Sequence, residues 1–214
     1  MIIWLASYPK SGNTMVRSLL SAYFFSEDGT FNFDLIGNIQ QFPINPLFER
    51  LGINTKNQKE VVKNYIKVQE SINKKNDVQF IKTHSYLFNI ENNAFTDLNN
   101  SLGVIYIVRD PRTVAISYAN HMNKNVEFAK DHLINGWKIG GDYKSNNISD
   151  HTMVYTGNWA NNYNSWKSFK KPNKYLLVKY EDLILQTEKT FIKIFDFFFF
   201  LKKKKLILDK LRIK

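Results

Sequence analysis

The sequence predicts an α/β fold of three layers, a mainly parallel sheet with helices on both faces and an anion-binding loop after the first strand. Three observations carry this reading. Apolar runs at residues 2–5, 78–81, 103–108 and 175–178 alternate with helical segments, the order expected of strands joined by right-handed crossovers. The run Gly103-Val104-Ile105-Tyr106-Ile107-Val108 is apolar throughout, as a strand covered on both sheet faces must be. The chain also opens with a strand, a Ser-Tyr-Pro-Lys-Ser-Gly break and a helix in which Met15, Leu19, Leu20 and Tyr23 recur at helical spacing.

That opening unit aims the free N–H groups of the loop and the first helical turn at one point, where the helix dipole also favours negative charge. Lys10 adds a cation, Gly12 allows close backbone approach, and the Ser11 and Thr14 hydroxyls add donors. Laid on the nucleoside-triphosphate pattern of Gly, four residues, Gly-Lys-Ser/Thr, the segment has Ser7 at the first glycine and Asn13 at the lysine. The lysine stands instead at Lys10, before the glycine. On this segment alone, an ordinary strand-turn-helix with a chance lysine stays open.

Further along, Ser26 to Thr30 is a turn cluster, and residues 31–51, interrupted by Pro43 and Pro46, are expected to be irregular and to form one wall of an acceptor pocket or simply to pack. Residues 56–75 fit an amphipathic helix built on Val61, Val62, Tyr65, Ile66 and Val68. The strand at 78–84 ends in Lys82, Thr83 and His84, which places Lys82 and His84 on the same sheet rim as the first loop, where ligands of open α/β sheets bind. After the 103–108 strand, Asp110 suits an N-cap and Pro111 the first helical position, so a helix is expected through Ser117 to about His121. Residues 123–153 read as a short helix and a mobile loop. Residues 156–169 read as a helix with Trp159, Tyr163 and Trp166 on one packed face, 175–180 as a strand, and 181–197 as a closing helix. Glu181 and Asp182 read as cap and fold anchors, and His121, His132 and His151 as structural histidines.

The 214 residues suit one domain, read here as residues 1–196, with 197–214 a poorly ordered Phe/Lys tail of low complexity. Absence of cysteine excludes disulfides and thiolate metal sites. No apolar run reaches the length of a membrane span, and no signal pattern opens the chain, which reads as cytoplasmic. Of the net charge of +11, residues 202–214 contribute +6, so the charge of the remainder is mild and does not point to nucleic acid. Four phenylalanines beside four lysines leave open a weak peripheral contact with membranes through the tail.

Five segments in order now define a resemblance. Tyr8-Pro9-Lys10-Ser11-Gly12-Asn13-Thr14 resembles the P-loop-like phosphosulfate-binding loop of sulfotransferases that use 3′-phosphoadenosine 5′-phosphosulfate (PAPS). Lys82-Thr83-His84 resembles the family's catalytic segment, and Arg109 with Ser117, eight residues apart, resembles its 3′-phosphate motif. Gly157-Asn158-Trp159 to Trp166 and Tyr180-Glu181-Asp182-Leu183 resemble the helix before the last core strand and that strand's end. The resemblance implies metal-independent, in-line transfer of a sulfuryl group from PAPS to a hydroxyl or amine of a small-molecule or carbohydrate acceptor, with PAP as product. It implies Lys10, Lys82 and His84 as catalytic residues, His84 being the general base. Lys10, Ser11, Gly12, Asn13, Thr14, Met15, Arg109, Ser117 and Tyr180 would bind the donor.

Two departures accompany it. Met15 stands where many members carry a tryptophan, and no basic Arg-Lys-Gly segment precedes Lys214, so the chain reads as a C-terminally truncated or frame-shifted member, and activity impaired by the missing segment is an open expectation. An inactive PAP-binding homologue and a P-loop kinase are the alternative readings. A kinase is disfavoured by Asn13 and would reveal itself by a magnesium requirement.

Overall fold

The computed structural model describes residues 1–74, 77–139, 152–170 and 173–212, with the backbone alone for 137, 139 and 207–212. The elements run β1 (Ile2–Ser7), α1 (Asn13–Phe25), a 3-10 turn (Phe33–Asn38), α2 (Asn45–Glu49), α3 (Gln58–Lys63), α4 (Tyr65–Asn73), β2 (Gln79–Thr83), β3 (Asn89–Ile90) and β4 (Asn93–Ala94). They continue with β5 (Ser101–Val108), α5 (Pro111–Met122), α6 (Val126–Asn135), β6 (Trp137–Ile139), β7 (Val154–Gly157), α7 (Trp159–Ser165), a second 3-10 turn (Trp166–Lys170), β8 (Tyr175–Lys179), α8 (Tyr180–Leu185) and α9 (Thr187–Arg212).

The main sheet has the order β2-β1-β5-β8, and every pair in it is parallel. Alternation along the strands divides the core. Ile2, Trp4, Ala6, Val104 and Tyr106 face Phe42, Phe48, Val61, Tyr65 and Trp166 on one side. Ile3, Leu5, Ile105, Ile107 and Val178 face Val16 and Leu20 of α1, Leu183 of α8 and Ile194, Phe198 and Leu201 of α9 on the other. These are the three layers expected from the sequence. They leave the carboxyl ends of β1, β2, β5 and β8 on one rim.

Four local expectations change. Residues 56–75 form two helices, because Asn64 turns its side-chain amide back to the Glu60 carbonyl and breaks the ladder at φ −108°, ψ 8°. Residues 154–157 pair with β6 as a hairpin, and the helix expected from 156 starts at Trp159, capped by the Asn158 side chain, which accepts from the Asn161 N–H at 2.7 Å. Tyr23 lies on the exposed side of α1, with its ring against Phe195.

The fourth change concerns the Phe/Lys segment, which continues α9 instead of forming a poorly ordered tail. Phe198 and Leu201 are buried, and Gly103 makes room for Leu201: a Cβ there would meet Leu201 Cδ1 at 2.5 Å. Phe199 and Phe200 remain half exposed. No helix among the described residues is long and apolar enough to cross a membrane. The mobile loop expected before Met153 and His151 fall mainly outside the described residues.

Candidate active site

At the rim, one cleft of about 870 Å³ collects Lys10, Gly12, Asn13, Thr14, Met15, Lys82, His84, Arg109, Ser117 and Tyr180. The structure thus brings together the residues singled out from the sequence, apart from Ser11, which is buried beneath the loop. Pro9, Gln41, Tyr118, His121, Met122 and Lys138 are the other described residues of the wall. Among the described residues, four Lys or Arg side chains and two histidines line it, and no carboxylate does.

The loop begins where β1 ends. Lys10 and Gly12 both take positive φ, 64° and 100°, which curls the chain so that α1 starts with its axis directed at the cleft. Gly12 is the N-cap, and no side chain caps the helix, so its first N–H groups are available to an anion. The Ser11 hydroxyl is buried without a hydrogen-bond partner among the described residues. An uncapped helix, an unsatisfied hydroxyl and clustered cations fit a bound phosphate-like group.

Asn13 differs from its expected role. Its side-chain amide turns inward and donates to the Leu5 carbonyl at 2.9 Å and the Ser7 hydroxyl at 3.2 Å, so this side chain pins the loop to β1. Its backbone N–H belongs to the uncapped first turn of α1.

Arg109 lies at the end of β5. Its guanidinium donates to the Lys10 carbonyl at 3.2 Å and lies 4.2 Å from the centre of the Tyr180 ring. The neighbouring Asp110 is engaged elsewhere, accepting from the Arg112 backbone and side chain while capping α5. Hydrogen bonds from the Arg112 side chain, then from its backbone N–H, hold the Asp110 carboxyl down at about 2. Arg109 makes no ion pair among the described residues, so its charge stays available to a ligand. Glu181 acts as the anchor expected, accepting from the Asp110 N–H at 3.0 Å and joining the ends of β5 and β8.

His84 is fixed from two sides. Its Nδ1 lies 2.8 Å from the Ser7 carbonyl, an acceptor only, so Nδ1 carries the proton and Nε2 keeps its lone pair. Asn162 donates to the His84 carbonyl at 2.9 Å and accepts from the Tyr106 hydroxyl at 2.7 Å. Burial, and then the nearby Lys82, push the imidazole down to about 3, leaving it neutral at pH 7. The Lys82 ammonium is pushed down to about 8 by burial and by the Arg17 guanidinium.

Several contributors are invisible to motif reading. Arg17 donates to the Ile36 and Ile39 carbonyls and pins the 3-10 turn to α1; a lone arginine on a helix gives no such signal in sequence. Lys138 reaches the cleft only because β6 pairs with β7. His121, expected to be structural, lines the cleft, whereas His132 is structural as expected, buried with Nδ1 at 2.8 Å from the Phe128 carbonyl.

A parallel α/β sheet with an uncapped loop-to-helix turn after its first strand and cations on its carboxyl rim defines the class of fold. Within it, a profile of the Sulfotransferase domain matches residues 2–206, and the chain belongs to the sulfotransferase family. The match passes residue 196, where the sequence reading ended the domain. Luciferin sulfotransferase of Photinus pyralis is 26% identical over 201 residues, covering 85% of this chain and 46% of that protein. Mouse sulfotransferase SULT7A1, solved in complex with PAP, superposes with a TM-score of 0.55 at 18% identity, over 92% of this chain and 57% of its own. Retinol dehydratase, solved with androsterone and the inactive cofactor PAP, gives 0.54 at 18%, over 92% and 59%. The chain therefore spans about half the length of these relatives.

Proposed function

We propose that this chain is a PAPS-dependent sulfotransferase that transfers a sulfuryl group to a hydroxyl, or amine, of a small-molecule or carbohydrate acceptor. The single observation that carries this reading is the convergence of Lys10, Lys82, His84 and Arg109 on one cleft at the uncapped start of α1, with no carboxylate among the described residues of its lining. PAPS supplies an activated sulfuryl group whose departure leaves negative charge on the bridging phosphate oxygen. Lys10, the first-turn N–H groups and Lys82 stabilise that charge, an interaction stronger in the transition state than in the ground state. His84 Nε2 takes the acceptor's proton as attack proceeds, with Nδ1–H held by the Ser7 carbonyl throughout.

Arg109 and Ser117 take the 3′-phosphate, the guanidinium being presented by the Tyr180 ring and the Lys10 carbonyl. Met15 gives the adenine an apolar contact. The kinase alternative gains nothing from Asn13, whose side chain is committed to β1. The test is transfer of sulfuryl from PAPS to a phenolic acceptor such as p-nitrophenol, with metal chelated. Transfer in chelator supports the reading; ATP-dependent, magnesium-requiring phosphorylation in its place would replace it.

A further inference from the structure

Residues 40–42 run alongside β2 and pair with it at Lys82. The Lys82 N–H donates to the Gln40 carbonyl and the Phe42 N–H donates to the Lys82 carbonyl, both at 2.9 Å, a single parallel bridge that joins residue 41 to β2. Between these bonds the Gln41 side chain points the same way as Lys82, and its Oε1 accepts from Lys82 Nζ at 2.7 Å. Among the described residues this is the only hydrogen bond the ammonium makes. Arg17 holds the preceding turn in place through Ile36 and Ile39.

We propose that Gln41 is a positioning residue, whose amide oxygen aims the Lys82 ammonium into the donor site while leaving its positive charge unneutralised. This rests on the reading of the cleft as a PAPS site. The chemistry of the partner decides the argument. A carboxylate at 41 would hold the ammonium as firmly but cancel its charge before any anion arrived, whereas an apolar residue would leave a half-buried ammonium without an acceptor. The titratable and charged groups around Lys82 are Arg17 on α1, Lys10 on the loop and His84 two residues on, with Arg109, Lys138, His121, Tyr118 and Tyr180 across the cleft. None is an acid. Neutral amide oxygen is therefore what keeps this cation both ordered and charged.

The test compares Gln41→Glu and Gln41→Met in the full chain, following the Lys82 ammonium by NMR titration and PAP binding by calorimetry. Gln41→Glu is expected to raise the Lys82 titration point by about one pH unit or more and to weaken PAP about tenfold. Gln41→Met is expected to lower the titration point and to weaken PAP several-fold. Opposite shifts are a signature that mere support of the fold does not produce. A titration point unmoved in both folded variants, or PAP affinity unchanged in both, would overturn the proposal. Failure of the wild-type chain to bind PAP, with both shifts intact, would instead overturn the donor site and with it the purpose assigned to the contact.

Discussion

Gly12 and Tyr180 are packed so closely that a Cβ on Gly12 would overlap the Tyr180 ring. The same ring carries the Arg109 guanidinium, so one aromatic side chain from the end of β8 registers both the loop and the arginine. Gly12→Ala meets two obstacles, this overlap and a φ of 100°. It is expected to cost about 1–3 kcal/mol of stability, measured by denaturant unfolding. Adding Tyr180→Ala should recover part of that loss, and strict additivity of the two changes would rule out the overlap as its cause.

Lys10→Ala and His84→Ala are each expected to lower sulfuryl transfer by about 10²–10⁴-fold. Either folded variant with near wild-type turnover would lose its place in the mechanism.

Arg109→Ala should weaken PAP by about 1.5–3 kcal/mol, and adenosine 5′-phosphosulfate, which lacks the 3′-phosphate, much less. Competitive calorimetry separates the two. Equal losses would mean that Arg109 does not read that phosphate.

His84 also makes stability depend on pH. Its folded value, about 3, lies below the ordinary 6.5, so the folded state binds fewer protons than the unfolded state between these limits. Its contribution is fully present above pH 6.5 and is lost as pH falls toward 3. Replacement by Gln should flatten the acid limb of stability in that window. Bound PAP, by adding negative charge beside Lys10 and Lys82, should raise the imidazole value, visible in a histidine NMR titration with and without PAP.

The four core strands and the covering of the sheet on both faces were legible in the sequence because buried parallel strands write continuous apolar runs, and Asp110-Pro111 writes a helix start; the order of the strands was not. The rim residues were legible because they follow strand ends. What escaped depends on long-range pairing. Gln41 meets Lys82 only through a bridge spanning 41 positions, and Lys138 enters through a hairpin that periodicity does not encode. Asn13 looked like a ligand, but its amide serves the strand it follows. Composition misled at the Phe/Lys segment, where the buried side of a helix is set by Phe198 and Leu201 and takes in Lys205 from the lysine run.

That segment yields its own test. Phe198→Ala should cost about 3–5 kcal/mol and Leu201→Ala about 2–5, as buried positions do, while Lys203→Ala, exposed on the same helix, should be near neutral. Equal and negligible effects would mean that α9 past residue 196 adds nothing to the fold.

Calorimetric titration with PAP and with ATP, each with magnesium and with chelator, addresses the donor site most directly. Expected is PAP binding that survives chelation, exceeds that of ATP and is weakened by Arg109→Ala. Magnesium-dependent ATP binding without detectable PAP binding would contradict the sulfotransferase reading of this cleft.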